Sequence, residues 1–343
     1  MKLYRLPGPH GIVPQGFDSL YTTEAPEPKP RRGQVLVRLR AASLNYRDLL
    51  VARGQYPLSP VPPDLIPLSD GAGEVIETGE DVTRFQPGDR VAPCFFQSWH
   101  DGPITERDGA SALGGAIHGV LTEYAVFEQD GLVRIPDHLS WEEAACLPCA
   151  AVTAWHALFG STPVQPGQTV LTQGTGGVSI FAIQFAKAAG ARVITTSSSD
   201  KKLSRAQALG ADEGINYRSR PDWHKAATAL TGGLGVDHVV EVGGAGTLWQ
   251  SIRAARLGGQ IHLIGVLSGQ NEINPMPLMA RSQTLRGIYV GSRAMFEAMN
   301  IAISQHRIKP VIDRVFPFAE AVAAYRHLES ATHLGKVVIR LDE

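Results

Sequence analysis

The chain has 343 residues, 43% of them hydrophobic, and a formal net charge of −1. That length suggests about two domains with sizeable cores, and a nearly neutral chain without a basic stripe is not built to hold nucleic acid. Three cysteines make no disulfide framework; with no signal-peptide core and no run near the ~18 apolar residues of a membrane span, a cytoplasmic protein off the membrane is expected.

In chain order, the first part is β-rich and punctuated by proline. A polar turn at residues 26–33 precedes Gln34-Val35-Leu36-Val37-Arg38-Leu39-Arg40, whose apolar–polar alternation predicts a strand with one wet face. Residues 42–50 read as a strand end turning into a short helix. Gly54, Pro57, Pro60, Pro62 and Pro63 make the next stretch irregular, and residues 66–76 resume as strand around Gly71 and Gly73. Pro87-Gly88-Asp89-Arg90-Val91 is a turn into another strand, and the whole predicts a twisted, partly closed barrel. Residues 98–119, rich in Gly, Asp and Ser, read as a surface excursion.

The middle of the chain changes character. Val170-Leu171-Thr172-Gln173-Gly174-Thr175-Gly176-Gly177-Val178-Ser179 is a β-branched run entering a glycine turn that a helix-forming segment leaves. This strand–turn–helix context is what gives a glycine fingerprint meaning. Gly174 allows the tight turn and Gly176 a close backbone approach to a pyrophosphate, which then rests on the helix N-terminus. Thr175, Gly177 and Val178 share that turn, and Ser179 stands where the third glycine of the fingerprint falls, straining the helix–strand packing. The bland alternative is an ordinary glycine turn. A second strand at 192–196, a helix at 203–209 closed by Gly210, and a strand at 215–217 continue the β-α-β-α-β alternation.

An acidic residue about 20 positions beyond the glycines reads the ribose of NAD. Here the strand ends at Thr196-Ser197-Ser198-Ser199-Asp200-Lys201-Lys202, and the ribose position is Ser197, with Ser198 beside it. With no carboxylate to repel it, a 2′-phosphate can be held by hydroxyls and by Lys201 or Lys202, which favours NADP(H) over NAD(H). Alternatively the lysines are a solvated helix start and Asp200 binds ribose.

Asn45-Tyr46-Arg47-Asp48, Gly71-Ala72-Gly73-Glu74-Val75, Pro87-Gly88-Asp89-Arg90-Val91, Thr122-Glu123-Tyr124, the Gly174 turn and Gly335-Lys336-Val337-Val338 occur in the order found in medium-chain dehydrogenases/reductases. Over essentially its whole length the chain resembles zinc-independent members, the quinone oxidoreductases and the NAD(P)-dependent alcohol dehydrogenase-like proteins. The resemblance implies an α/β architecture: a GroES-like β-barrel domain (1–150 and 291–343) with a doubly wound Rossmann domain (151–290) inserted. It further implies an active site between the domains, a small-molecule substrate, and a homodimer or homotetramer.

The same resemblance frames the metal question. In zinc-dependent relatives the first thiolate ligand falls at Asn45, the histidine at Ser69 and the third ligand at Cys149. One soft ligand does not hold zinc, and the segment from Cys94 to His118 lacks the cysteine cluster of a structural site. No metal is therefore expected. Cys146 and Cys149 have redox spacing without a thioredoxin-like pattern and read as core thiols.

Without a Lewis acid, hydrogen-bond donors must stabilise the oxyanion or enolate that forms while NADPH gives hydride. The expected activity is reduction of a quinone or an α,β-unsaturated carbonyl. The rivals are a zinc-free alcohol dehydrogenase or aldehyde reductase, and a non-catalytic, crystallin-like NADPH-binding protein. Asn45 donates through its amide, and Tyr46 is either a general acid or a core aromatic. Arg47 and Asp48 pair with each other or cap the helix. Tyr56 stands at the lip of the pocket, while Ser69 and Asp70 order water in the vacated metal site. By the resemblance Thr153 lies near the nicotinamide, Val242 and Gly243 end the fourth Rossmann strand over the cofactor, and Val266 holds the carboxamide. Gly291, Ser292 and Arg293 sit where relatives place cofactor contacts, Arg293 being a phosphate contact or a surface charge.

Overall fold

The structure is a computed structural model that describes residues 1–7, 16–57, 61–265, 272 and 274–342. It divides into two compact units, one of residues 1–152 with 291–343 and one of residues 153–290.

The first unit is organised by the strand Gln34–Leu44. Its first half pairs with Tyr124–Glu128 and its last four residues with Lys336–Arg340, while Asp70–Thr78 runs along the opposite edge, all antiparallel. Ile312–Pro317, Arg90–Pro93 and Leu132–Arg134 complete a seven-stranded sheet. The inward face, with Val35, Val37, Leu39 and Val75 beside Leu49, Tyr325 and Ile339, makes the core. Because Val337 pairs with Leu44 and Asp70 with Ser43, the end of the long strand delivers Asn45 between Lys336 on one side and Asp70 on the other.

One expectation fails here and another holds only in part. The strand expected from residue 66 starts at Asp70. Leu68 has φ +67°, and the carbonyls of Ile66, Pro67 and Leu68 are taken by N–H groups of residues 119–121, so the chain turns before it can extend. The stretch 98–119 is a surface excursion over residues 100–107, all exposed, but it is anchored on either side of them. Trp99 and Leu113 are buried, as are Phe95 and Phe96 just before it, and Asp108 ties the loop by accepting from Thr105 N–H at 2.9 Å and from Ser98 Oγ at 3.0 Å. Its glycines and polar residues form the turns, while a few large apolar groups supply the burial that holds it down.

The second unit is a six-stranded parallel sheet in the order Glu213–Asn216, Arg192–Ser197, Thr169–Gln173, Val236–Glu241, Ala255–Leu263, Thr284–Gly287. The order reverses at Thr169–Gln173, the switch point at which doubly wound sheets open a crevice for ligands. Leu171, Ile194, Val239, Ile252 and Ile261 fill its core. Inside it His238 and His262 stack with centroids 5.4 Å apart. His238 Nε2 meets Gln168 Oε1 at 3.1 Å and His238 Nδ1 meets His262 Nε2 at 3.1 Å. The amide oxygen only accepts, so His238 carries its proton on Nε2, and His262 donates through its own Nε2. Burial pushes both rings down, to about 4 and about 3 respectively.

Candidate functional site

Two sets of polar groups concentrate the chemistry, one in each unit. In the parallel-sheet unit, Gly174 follows the strand Thr169–Gln173 with φ +70°, and its N–H donates to Thr196 O at 2.8 Å. A side chain at Gly174 or Gly176 would point into open space, the clearance a bound pyrophosphate needs. The helix Gly177–Ala188 starts directly after, its first N–H groups free for an anion. Ser179 does not strain the packing: it is buried, and its hydroxyl donates to Gln173 O at 2.6 Å.

A cavity of about 380 Å³ opens beside this turn, and Gly174, Thr196, Tyr217, Trp223, Val242 and Gly243 are among its walls. Behind the lining residues Gln173, Gly243 and Thr247 lies Glu241, the fully buried last residue of its strand. Oε1 accepts from Gly243 N–H at 2.8 Å, Gly244 N–H at 2.9 Å and Thr247 Oγ1 at 2.6 Å. Oε2 accepts from Gln173 Nε2 at 2.6 Å and from the Ser251 hydroxyl. One carboxylate thus joins the ends of two strands, the loop at Val242 and Gly243, and the helix Ala245–Ala254. The residues fit a dinucleotide: open glycines, a helix N-terminus and an adjoining cavity. Tyr217, Trp223, Glu241 and Thr247 escaped the sequence reading, and the one signal for Glu241 was a carboxylate directly after Val239-Val240 and before the glycines.

Beyond the cavity, Ser197 is buried and Ser198 half-buried at the end of Arg192–Ser197. Lys201 is exposed and Lys202 half-buried in the first turn of Asp200–Ala208. Asp200 begins that helix with its carboxylate accepting from Asn216 Nδ2 at 2.8 Å. Thr153 is buried in the helix Val152–Phe159, behind a π-helical turn at Leu147–Ala151. Val266 lies outside the described residues.

Gly291, Ser292 and Arg293 belong to the other unit, at the start of a helix Arg293–His306 that the sequence reading did not anticipate. A Cβ on Gly291 would approach Val152 to 2.6 Å. Ser292 Oγ caps the helix by accepting from Met295 N–H at 3.3 Å. Arg293 donates through Nη1 to Asp130 Oδ1 at 2.7 Å and lies 3.7 Å from Glu297.

The barrel-like unit brings Asn45, Ser69 and Asp70 together around Lys336. Lys336 is 3% exposed, and its ammonium donates to Leu44 O at 2.7 Å and to Asn45 Oδ1 at 2.6 Å, with Asp70 Oδ2 3.7 Å away. Asp70 accepts from Ser69 Oγ at 2.6 Å and from Cys149 N–H at 3.1 Å. Asn45 caps the helix Tyr46–Ala52, its N–H donating to Asp48 Oδ2 at 2.7 Å. Burial pushes the Asp48 carboxyl up to about 6, against the pull of Arg47 and the Asn45 N–H. Asn45 Nδ2 is buried and has no hydrogen-bond partner among the described residues. Tyr46 is 42% exposed, which rules out the core-aromatic alternative, and Tyr56 stacks over the Arg47 guanidinium at 5.0 Å.

A zinc ion does not fit these donors. The Asn45 amide oxygen is taken by Lys336, the Ser69 hydroxyl is committed to Asp70, and burial raises the Cys149 thiol far above its ordinary value. An ion placed there would also face a buried ammonium. Among the described residues no group of three His, Cys, Asp or Glu side chains converges to hold a metal. Cys146 donates its thiol to Glu142 O, and its pKa is pushed up to about 12 by burial, as a core thiol's is.

The family described as alcohol dehydrogenase GroES-like domain matches residues 31–137, and that described as zinc-binding dehydrogenase matches residues 177–305. A zinc-type alcohol dehydrogenase-like protein of Schizosaccharomyces pombe is 48% identical over 335 residues, covering 95% of this chain and 96% of the relative. A quinone oxidoreductase of Rattus norvegicus is 28% identical, covering 92% of this chain and 91% of its own. The crystal structure of an NAD-dependent alcohol dehydrogenase superposes with a TM-score of 0.89 at 34% identity, covering the whole of both chains. No helix among the described residues is long and apolar enough to cross a membrane. With a GroES-like domain, a parallel sheet reversing beside a glycine turn, and relatives matched end to end, the chain is a nicotinamide-dinucleotide-dependent oxidoreductase that belongs to the medium-chain dehydrogenase/reductase family.

Proposed function

We propose that the protein is an NADP(H)-dependent reductase of quinones or α,β-unsaturated carbonyl compounds that works without a catalytic zinc. The observation that carries this reading is the Asn45–Lys336–Asp70 cluster. An amide stands where the resemblance puts a metal ligand of zinc-dependent relatives, a buried ammonium holds its oxygen, and among the described residues its N–H donor has no partner. When bound, the cofactor supplies hydride. The chain's own residues then meet the negative charge that develops on the substrate oxygen: Asn45 Nδ2 donates a hydrogen bond to it and the half-exposed Tyr46 hydroxyl supplies a proton. A conjugated acceptor spreads that charge and needs only such donors, whereas oxidation of a simple alcohol gains most from a metal that lowers its pKa. In the other unit, Gly174, Thr175, Gly176, Gly177 and Val178 hold the pyrophosphate, with Val242 and Gly243 over the adenosine part. The preference for NADP(H) rests on Ser197, Ser198, Lys201 and Lys202, with Asp200 engaged by Asn216 rather than turned to a ribose.

The relatives named for alcohol dehydrogenase activity favour a second reading, reduction of an aldehyde at its carbonyl. One experiment separates the two. The protein is incubated with NADPH deuterated at the transferring position and trans-2-hexenal, and the product is identified by NMR. Deuterium at the β-carbon of hexanal is expected. Deuterium on the carbinol carbon of hexenol would establish the second reading, and no NADPH consumption with hexenal or with a benzoquinone would overturn both.

A further inference from the structure

The Lys336 ammonium has only donors to offer, and its contact with Asn45 Oδ1 at 2.6 Å decides which way the carboxamide faces. With the oxygen fixed on Lys336, the Nδ2 donor must point the other way, where it is buried and has no hydrogen-bond partner among the described residues. A buried amide donor left unsatisfied costs free energy comparable to a lost hydrogen bond, so its persistence calls for an acceptor arriving from outside. Lys336 is itself held: Leu44 O takes a second proton at 2.7 Å, and Asp70 balances the charge from 3.7 Å without competing for direction. Asp70 is pinned by Ser69 Oγ and Cys149 N–H, and the sheet register fixes Lys336 against the end of the strand that carries Asn45.

We propose that Lys336 is a positioning residue that locks the Asn45 carboxamide in the one orientation presenting Nδ2–H to the substrate carbonyl oxygen. It does not touch substrate. Its buried charge polarises the amide it holds, strengthening the donor at the far end. The proposal rests on the reductase reading of the same site for its consequence, though not for its geometry.

The test uses Lys336→Met, alone and with Asp70→Asn. The second change removes the carboxylate that the first would leave without its cation, and it serves if the single variant fails to fold. Protein labelled with 15N at asparagine side chains reports the geometry directly, the Asn45 NH2 pair being identified by its absence in Asn45→Ala. The Asn45 pair should move in both Lys336→Met proteins while other asparagine pairs stay, and a pair that does not move would overturn the proposal. Turnover of trans-2-hexenal reports the consequence. Loss of one oxyanion donor costs about 10²–10³ in kcat, and an unfixed donor should cost about tenfold or more, with the NADPH affinity unchanged. In the Asn45→Ala background Lys336→Met should cost nothing further, and a full additional loss would show that Lys336 acts by another route. If the unaltered protein consumes NADPH with neither hexenal nor a benzoquinone, the reductase reading fails, while the NMR arm still decides whether Lys336 sets the amide.

Discussion

The buried histidine pair in the parallel sheet makes the stability of that unit fall in mild acid. In the folded chain His238 and His262 hold their protons only below about 4 and about 3, whereas the unfolded chain binds a proton on each near 6.5. The unfolded state therefore binds more protons across the interval from about 6.5 downward. The pair's full contribution is present above 6.5 and is lost as pH falls toward the folded values. At pH 5 each ring accounts for a loss of about 2 kcal/mol, so the two together remove about 4 kcal/mol. The carboxylates depressed by ion pairs, such as Asp130 and Asp212, lose their contribution only nearer pH 4. Asp48, raised to about 6, acts in the opposite sense, and its effect is common to all proteins compared. Urea unfolding at pH 7.5 and 5.0, with hydrogen exchange of residues 236–241 and 255–263 assigning the transition to this sheet, measures the loss. In His238→Leu/His262→Leu both partners of the buried contact are replaced by apolar groups. The loss between the two pH values should shrink by about 4 kcal/mol. An equal loss in the parent and the double variant would refute the argument.

Glu241→Ala takes the shared acceptor from five donors, leaving Gly244 N–H and the Ser251 hydroxyl without the bond that Glu241 gives them, and should cost about 2–4 kcal/mol, seen as a lower midpoint in thermal unfolding, with NADPH affinity at least about tenfold weaker. In Lys201→Ala/Lys202→Ala the dissociation constant for NADPH, read by fluorescence titration, should rise about tenfold while that for NADH stays put. An equal change for both cofactors would return the ribose to Asp200. A strong chelator should leave activity unchanged, and elemental analysis should find well under one zinc per chain. One tightly held zinc would sink the donor argument built on Asn45, Ser69 and Lys336.

What the sequence made legible was what is local in the chain. The β-branched run, the glycines and the helix that follow one another over some twenty positions announce the turn at Gly174, because a tight turn and a close backbone approach are set by neighbouring residues. The positive φ at Gly174 and Gly210 follows from the same reasoning. Ser179 was misjudged because its size counted against it, while the carbonyl of Gln173, one turn back, was there to accept its hydroxyl. The stretch 98–119 was legible as a surface excursion but not as an anchored one, because Gly, Asp and Ser outnumber the few large apolar residues that hold it down. Lys336 and Glu241 were not legible as hubs at all. Lys336 meets Asn45 across 291 positions, and Glu241 meets Gln173 across 68. Such contacts exist only once the strands are in register, and a charge at the end of a strand does not say which partners it will have.

Both sites rest on the same device, a buried charged residue at the end of a strand that orients the neutral groups bonded to it. Glu241 gathers donors from two strands, a loop and a helix, and so fixes the glycine loop that borders the cavity. Lys336 gathers two acceptors and leaves a third polar atom, Asn45 Nδ2, buried and without a hydrogen-bond partner among the described residues. A buried charge is weak evidence of stability, since an apolar replacement of the whole cluster often costs nothing. Its value lies in direction: every group bonded to it has one orientation. Distance separates the two kinds of partner. Asp70, at 3.7 Å, neutralises Lys336 without aligning it, whereas the 2.6 Å contact to Asn45 aligns. Substituting Asp70 should therefore act mainly on stability, and substituting Lys336 mainly on the direction of the Asn45 donor.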